Sequence, residues 1–213
     1  MKLEIRAIRM KTSQNPALPS GFGVVAAGDL AALVEVITPD FDLTNVGRLR
    51  RYQKAVNLCW CEGNQPILPA RAGAVFDGPE EIGRILLENA ADYKASLARI
   101  GNKLEMCVRF ALQNKKEAEH AFVSGQNRGL DYMKWLSQRQ AHEDTQLAAI
   151  DAVVKKLSSL AVDYQYYTPA PGSNFAEASF LLAQESLAAF RDVTGSCDIP
   201  AVVTGPFPPF DFV

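Results

Sequence analysis

Apolar and polar residues alternate at the start of the chain, and the spacing of the apolar positions then changes several times. In residues 3–10, LEIRAIRM, apolar residues recur at almost every second position, which predicts a strand. The stretch that follows, KTSQNPALPSGFG, is rich in Pro, Gly, Asn and Ser and is typical of turns. The run GVVAAGDLAALVEVI is divided by Gly28 and Asp29, so we predict two short strands joined by a tight turn.

Helical spacing begins after this hairpin. VGRLRRYQKAVNLCWCE, from Val46, places apolar residues at helical intervals. ILPARAGAVF predicts a strand that Pro69 interrupts, hence an edge strand or a bulge. GPEEIGRILLENAADYKASLARIG then predicts one helix, because Pro79 suits its first turn, apolar residues recur every three or four positions, and Gly101 ends it.

The second half of the chain contains six predicted elements. KLEMCVRFAL is an alternating strand, and a helical region extends from about Lys115 to Leu160. VDYQYYT and FAEASFLLA predict two strands, ESLAAFRDV a short helix and DIPAVVTG a final strand. The order strand, helix, strand, strand, helix, strand is the split βαβ pattern of ferredoxin-like folds.

These elements predict an α+β protein of two domains that meet near residue 101. Residues 1–101 form an N-terminal α+β domain, which is a permuted or degenerate relative of the same α+β pattern. Residues 102–213 form a C-terminal ferredoxin-like domain that ends in an extended tail rich in Pro and Phe.

The tail itself, GPFPPFDFV, has three prolines and three phenylalanines. Proline fixes its own φ and lacks a backbone donor, so this segment is extended rather than helical. Phe207, Phe210 and Phe212 then serve one of two purposes. They pack back on the protein as a latch, or they bind a hydrophobic partner.

Composition narrows the classes of function. The chain has 213 residues, 48% apolar and 22% charged, with a net charge of −2, so disorder and a nucleic-acid partner are not expected. It has no apolar run of about 18 residues to span a membrane and no secretory signal at its start. We therefore expect a cytoplasmic protein. The four cysteines lack metal or redox spacing and are interpreted as small buried hydrophobic residues.

Candidate chemistry is sparse. His120 and His142 are the two histidines, HExxH is absent, and so are the common nucleotide-binding and hydrolase motifs. SGQNRG at 124–129 is more typical of a helix break than of a phosphate loop. We predict no catalytic, cofactor-binding or metal site. The basic run GRLRRYQK at 47–54 has a single aromatic residue, which favours a solvated helix face or a contact with an acidic protein.

Four stretches together resemble the gas vesicle GvpF/GvpL family. PILPARAGAVFDGPEEI (66–82) is similar to the family segment LPLRFGTVF, and TGPFPPFDFV (204–213) to the ending TGPWPPYSFV. Between them, IGNKLEMCVRF (100–110) resembles the strand G-x-x-EWGVKV, and GLDYMKWLSQR (129–139) resembles a helix start G-x-YL. Their order and spacing make the resemblance specific. Ala72, Met106, Phe207 and Phe210 replace aromatic residues of the family pattern, which leaves the F-type or L-type subfamily open.

The resemblance implies an assembly factor for gas vesicles, the air-filled protein shells that give cells buoyancy, rather than an enzyme. Such a protein is an accessory or minor vesicle component, needs no cofactor, and contacts the small hydrophobic structural protein of the shell (the shell subunit) and other accessory proteins. It would assist nucleation or, like a chaperone, prevent aggregation, in the cytoplasm or at the vesicle. Candidate structural or shell-binding positions are Arg71, Phe76, Phe207, Phe210 and Phe212.

Two other classes of function stay open. One is an enzyme on a ferredoxin-like scaffold that uses Arg71 and Glu105. The other is a regulator that binds a small ligand or a nucleic acid through residues 47–54. A shell-binding protein needs apolar grooves and strand edges, whereas either alternative needs a polar site.

Overall fold

The computed structural model describes residues 1–12, 17–37, 46–63, 66–70, 73–112, 128–170 and 173–213. The protein has an α+β architecture with two antiparallel sheets and helices. The chain divides into two compact units: unit 1 comprises Met1–Glu105 and Pro206–Val213, and unit 2 comprises Met106–Gly205. The domain boundary near residue 101 stays a prediction.

Unit 1 contains a sheet of five strands with the order β2-β3-β1-β4, in which β5 also pairs with β1. Its strands are β1 (Leu3–Met10), β2 (Phe22–Ala27), β3 (Leu30–Val36), β4 (Ile67–Pro69) and β5 (Val75–Phe76). The predicted first strand and the predicted hairpin are confirmed. The interrupted strand becomes two short ones, both antiparallel to β1 at the same edge of that strand.

A bulge in β1 explains why its apolar residues alternate imperfectly. Against β3, Ile5 lies opposite Val34 and Ala7 opposite Leu33, so the register shifts at Arg6. Ile5 and Ile8 therefore share one core cluster, while Ala7 belongs to the cluster on the other face of the sheet. Both faces of β1 are covered, and the whole strand is buried apart from its last residue.

Helices cover the two faces of this sheet. Helix α1 (Val46–Gly63) supplies Ala55, Val56 and Cys59 to the cluster that contains Ala7. Helices α2 (Pro79–Glu88) and α3 (Ala90–Ile100) supply the residues that pack on the opposite face, namely Ile82, Leu86, Leu97 and Ile100.

The prediction of one continuous helix after Pro79 is wrong, because the helix is interrupted at Asn89. Both the backbone N–H and the side-chain amide of Asn89 donate to the carbonyl of Ile85, at 3.1 and 3.0 Å. A side chain that competes for a backbone acceptor weakens the regular helix at that point.

The turn between β2 and β3 is a two-residue hairpin. Gly28 has φ +56°, and Asn102 is the one non-glycine residue with positive φ among the described residues, so Asp29 has negative φ. This combination is typical of a type II′ turn, which needs glycine at its first position.

The second sheet has the strand order β7-β8-β6-β9. Its elements in chain order are β6 (Lys103–Ala111), α4 (Arg128–Ser158), β7 (Asp163–Tyr167), β8 (Phe175–Ala183), a 3-10 turn (Gln184–Ser186), α5 (Leu187–Gly195) and β9 (Ala201–Phe207). The predicted order of strands and helices is confirmed. The N-terminal part of the predicted long helix, residues 115–127, lies outside the described residues.

The core of unit 2 has the periodicity that the sequence predicted for β6. Met106, Val108 and Phe110 are buried. Phe180 of β8 and Phe190 of α5 meet edge to face, with ring centroids 5.2 Å apart. Within the described part of the chain, no helix is long and apolar enough to cross a membrane.

Candidate functional site

The C-terminal segment, Pro206–Val213, packs on unit 1. It begins at the end of β9, an edge strand, where proline is tolerated. Pro208 and Pro209 are buried, and Phe212 is only 4% exposed. The predicted extended conformation is present as far as Pro209, whereas residues 210–212 form a turn in which the N–H of Phe210 donates to the carbonyl of Pro208 at 2.8 Å. The buried side chains of the segment contact the protein's own core.

Three contacts hold this segment in place. The ring of Phe210 meets the ring of Tyr52 edge to face, with centroids 6.2 Å apart. The backbone N–H of Asp211 donates to the carboxylate of Glu105 at 2.9 Å, and the guanidinium of Arg99 donates to the carbonyl of Phe212. Hydrogen bonds to charged groups are stronger than neutral ones, so the segment is fixed at successive residues.

A buried charged cluster lies next to Tyr52. It consists of Glu4, Arg6 and Glu35, all at most 4% exposed. Arg6 Nε and Nη2 donate to Glu35 Oε2 at 3.0 and 2.6 Å, and Nη2 lies 2.7 Å from Glu4 Oε2. The Arg6 guanidinium carbon also lies 5.1 Å from the centre of the Tyr52 ring.

The bulge in β1 gives the cluster its position. Glu4 and Glu35 lie opposite each other in the β1–β3 ladder, where two like charges would repel. Arg6 is the residue at which the register shifts, and it lies between both carboxylates. The buried guanidinium of Arg6 binds both carboxylates and so compensates their negative charge in the core.

The stretch 66–82 that resembles the family is attached to the same cluster at Ala70 and Gly73. The N–H of Gly73 donates to Glu4 Oε1 at 2.6 Å, and the N–H of Ala70 donates to the carbonyl of Arg6 at 2.8 Å. The Tyr52 hydroxyl donates to the carbonyl of Ala70 at 3.3 Å. Tyr52 therefore contacts both this segment and the C-terminal one, two of the stretches that carry the family resemblance.

Burial raises the pKa of Tyr52 to about 12. The positive charge of Arg6 opposes this rise, and the negative charge of Glu4 adds to it. Tyr52 is therefore a neutral hydrogen-bond donor at physiological pH.

The residues that the sequence analysis proposed as a site do not all lie near Tyr52. Phe210 packs on Tyr52, Phe212 is buried and its carbonyl accepts from Arg99, and Phe207 is the half-buried last residue of β9. Phe76 pairs with Leu3 and packs on the opposite face of the sheet, so it is not part of this arrangement. Arg71 lies outside the described residues.

The cysteines, the histidines and the basic run are the other features of the sequence considered for chemistry. Cys59 is 1% exposed in the core of unit 1, as its interpretation as a buried hydrophobic residue predicts, but Cys107 and Cys197 are only partly buried, so the interpretation is wrong for these two. His142 lies on α4, with Nε2 3.1 Å from the side-chain amide nitrogen of Gln146. Arg51, from the basic run, donates to the carbonyl of Ser20 at 2.8 Å. His120 lies outside the described residues.

One exposed apolar surface was missed by sequence reasoning. We call it the α4 surface, and it consists of Leu130, Tyr132, Met133 and Trp135. The first three are 67%, 52% and 61% exposed, and the rings of Tyr132 and Trp135 stack with centroids 5.9 Å apart. The signal was present in GLDYMKWL, whose apolar residues are too numerous for a solvated helix face.

Comparisons with known proteins agree with the resemblance. A family model described as gas vesicle synthesis protein GvpL/GvpF matches residues 18–213. The fold is similar to the crystal structure of the gas vesicle protein GvpF from Anabaena sp. PCC7120, with a TM-score of 0.77, 16% identity and coverage of 99% of this chain and 95% of that one. It is equally similar to GvpF from Microcystis aeruginosa, with a TM-score of 0.77, 14% identity and coverage of 99% and 98%.

No curated protein sequence matches the chain. At these low identities the two structures show a shared fold, and the family model, which spans most of the chain, shows the relationship. The chain therefore belongs to the GvpL/GvpF family of gas vesicle synthesis proteins.

Proposed function

We propose that this protein is a non-enzymatic assembly factor that binds the hydrophobic shell subunit and assists nucleation of the shell or prevents aggregation of its subunits. The observation that carries the proposal is membership of the GvpL/GvpF family over residues 18–213. Subunits of a hydrophobic shell expose apolar surface before they assemble, and such surface aggregates unless it is covered. The protein would act in the cytoplasm and at the growing vesicle, together with other accessory proteins.

The α4 surface is the part of the described chain best suited to this contact. Tyr132 and Met133 share a helix face with Leu136, and Leu130 and Trp135 flank it. Buried residues of α4, such as Ile150 and Val154, lie in its C-terminal half. The N-terminal half thus presents apolar side chains that an amphipathic partner segment can cover.

The C-terminal segment has a different role in this proposal. Phe210 contacts Tyr52 and Phe212 is buried, so binding a partner through these rings would first require breaking the contacts that hold them. We therefore assign Phe210 and Phe212 to the fold of unit 1, as a latch. Arg71 stays a candidate for planar contacts next to the anchored residues Ala70 and Gly73.

The burial of Glu105 argues against a catalytic role for it. Glu105 is 3% exposed, and its carboxylate accepts a hydrogen bond from the backbone N–H of Asp211 in the C-terminal segment. We expect His142→Ala to leave vesicle formation intact, because its ring contacts Gln146 of the same helix.

We also propose that the C-terminal domain is ferredoxin-like. The strand order β7-β8-β6-β9, with α4 and α5 as connections, supports this assignment, because a split βαβ unit places its first and third strands at the centre of the sheet. If residues 1–101 and 102–213 are separate domains, limited proteolysis should cut near 101–103 before it cuts inside α2 or α3.

Co-expression with the shell subunit tests the proposed function. Wild-type protein should keep shell subunit in the supernatant after centrifugation and co-purify with it. Leu130→Glu with Met133→Glu should abolish both effects, because charges on the α4 surface cannot be covered by an apolar partner. Leu87→Glu is the matched control, since Leu87 is an apolar residue on α2 that is 58% exposed.

Retention of shell subunit by the α4 double variant would contradict the α4 surface as the binding site. Failure of the wild-type protein to bind shell subunit under conditions in which vesicles form would contradict the proposed function itself.

A further inference from the structure

Helix α1 carries a local excess of positive charge in its first half. Before Glu62, near its C-terminal end, the helix has no acidic residue, whereas its first half has four basic ones: Arg48, Arg50, Arg51 and Lys54. The whole chain has a net charge of −2, so the overall charge does not explain this excess. A face that contacts only water would be stabilised by acidic residues near the positive end of the helix dipole, and α1 has none in its first turn.

Arg50 and Lys54 are exposed and lie one helical turn apart, where two positive charges repel each other. Among the residues that the structure describes, no carboxylate forms an ion pair with either of them. Arg51, by contrast, donates to the carbonyl of Ser20 and lies 5.8 Å from the centre of the Phe22 ring. The positive charges of Arg50 and Lys54 are therefore available to an anionic partner.

Two exposed apolar residues lie beside this pair. Val46 is 60% exposed and precedes Arg50 by one turn on the same helix face, and Leu49 is 51% exposed. We call Val46, Leu49, Arg50 and Lys54 the α1 surface. It can bind a partner both through its charge and through the burial of apolar area.

We propose that the α1 surface binds an acidic segment of a partner protein, whose carboxylates contact Arg50 and Lys54 and whose apolar side chains cover Val46 and Leu49. Charge complementarity selects this partner, because carboxylates on the two cations remove a repulsion that no described residue of the chain relieves. Two carboxylates one helical turn apart, about 6 Å along the axis, match the spacing of Arg50 and Lys54. This interaction goes beyond the proposed function, since it needs neither the α4 surface nor the shell subunit.

The same surface is less suited to a nucleic acid or a membrane. The one aromatic residue of the basic run, Tyr52, already contacts Phe210 and Arg6, so its ring is not free to stack on a base. A long polyanion is also repelled by the net charge of −2. The apolar face of α1 packs in the core of unit 1 through Val56 and Cys59, so the helix has no apolar face to insert into lipid.

Fluorescence anisotropy with a short labelled peptide tests the proposal. The probe is a helical peptide of Glu, Leu and Ala in which Glu and Leu share one face, and the reference peptide has the same composition with Glu and Leu on opposite faces. The wild-type protein should bind the probe more tightly than the reference, and added salt should weaken this binding. Arg50→Gln with Lys54→Gln should bind the probe about tenfold more weakly or worse. This double variant should melt no lower than wild type, because it removes two charges that repel each other.

Lys155→Gln with Lys156→Gln is the matched control, since both lysines are exposed on α4 and the change in net charge is the same. It should bind the probe like wild type. Equal loss in the two double variants, equal binding of the two peptides or no binding by wild type would overturn the proposal. Tighter binding of double-stranded DNA or of phosphatidylserine vesicles than of the probe, lost in the α1 double variant, would overturn the choice of a protein partner. No shell subunit is present, so these outcomes are independent of the proposed function.

Discussion

The ring of Phe210 lies edge to face against the ring of Tyr52, and the guanidinium of Arg6 lies 5.1 Å from the centre of the same Tyr52 ring. One aromatic side chain on α1 therefore contacts both the C-terminal segment and the buried charged cluster of β1 and β3. We therefore expect the contacts of the C-terminal segment to stabilise the core of unit 1.

Phe212→Ala should lower the free energy of unfolding by about 3–5 kcal/mol, because it leaves a cavity where a buried ring was. Urea titration of the purified variant measures this loss. Val213→Ala is the control, since Val213 is 41% exposed and its truncation should change stability by less than about 0.5 kcal/mol. Equal stability of the two variants would mean that the segment is not a latch.

Glu105→Ala should destabilise the protein by about 1–3 kcal/mol, because the N–H of Asp211 loses its acceptor in a partly buried position. Glu105→Gln keeps an acceptor oxygen and should recover most of that stability. Thermal unfolding of the two variants side by side gives the comparison. If Glu105→Gln lowers the stability as much as Glu105→Ala does, the negative charge of Glu105, rather than its hydrogen bond, stabilises the segment.

The sequence predicted the elements of unit 1 better than its interactions. The alternating pattern around Leu3 and Ile5 was sufficient for a strand, and the Gly28-Asp29 pair was sufficient for the hairpin. The break at Asn89 was missed because the apolar spacing of Ile82, Leu86, Leu97 and Ile100 continues across it. The hydrogen bond from the Asn89 side chain to the carbonyl of Ile85 leaves no trace in that spacing.

The residues of the candidate site could also be predicted only in part from the sequence. The composition of the tail identified Phe210 and Phe212 as residues that need a partner, but nothing local in the sequence indicates that Tyr52 is that partner. The role of Arg6 depends on a bulge and on Glu35 from a neighbouring strand, so it follows from the register of the sheet. The exposure of Leu130 and Met133 depends on which half of α4 the core covers.

Arg6→Met should destabilise unit 1 by about 3–5 kcal/mol, because two buried carboxylates lose the cation between them. Combining Arg6→Met with Glu4→Gln and Glu35→Gln removes the uncompensated charges and should recover part of the loss. Urea titration at neutral pH checks both variants. A triple variant no more stable than Arg6→Met would show that the loss reflects the packing of Arg6 rather than its charge.

The stability of the protein should depend on the ionisation of Tyr52 at high pH. Its pKa is 10.0 in model compounds and is raised to about 12 by burial, so the folded state favours the neutral phenol. This stabilisation is complete below pH 10 and is lost as the pH rises through about 12. Wild-type protein should therefore lose stability relative to Tyr52→Phe over that interval, measured by urea unfolding at a series of pH values. Parallel curves for the two proteins would show that Tyr52 is not buried in this way.

The most direct test of the central claim separates folding from binding of the shell subunit. Thermal unfolding and retention of co-expressed shell subunit are measured for Phe210→Ala and for Leu130→Glu with Met133→Glu. We predict that Phe210→Ala melts at a lower temperature and still retains shell subunit in proportion to its folded amount. The α4 double variant should melt like wild type and retain none. Loss of shell subunit by a Phe210→Ala protein of unchanged melting temperature, with normal retention by the α4 variant, would contradict the account and make the C-terminal segment the binding element.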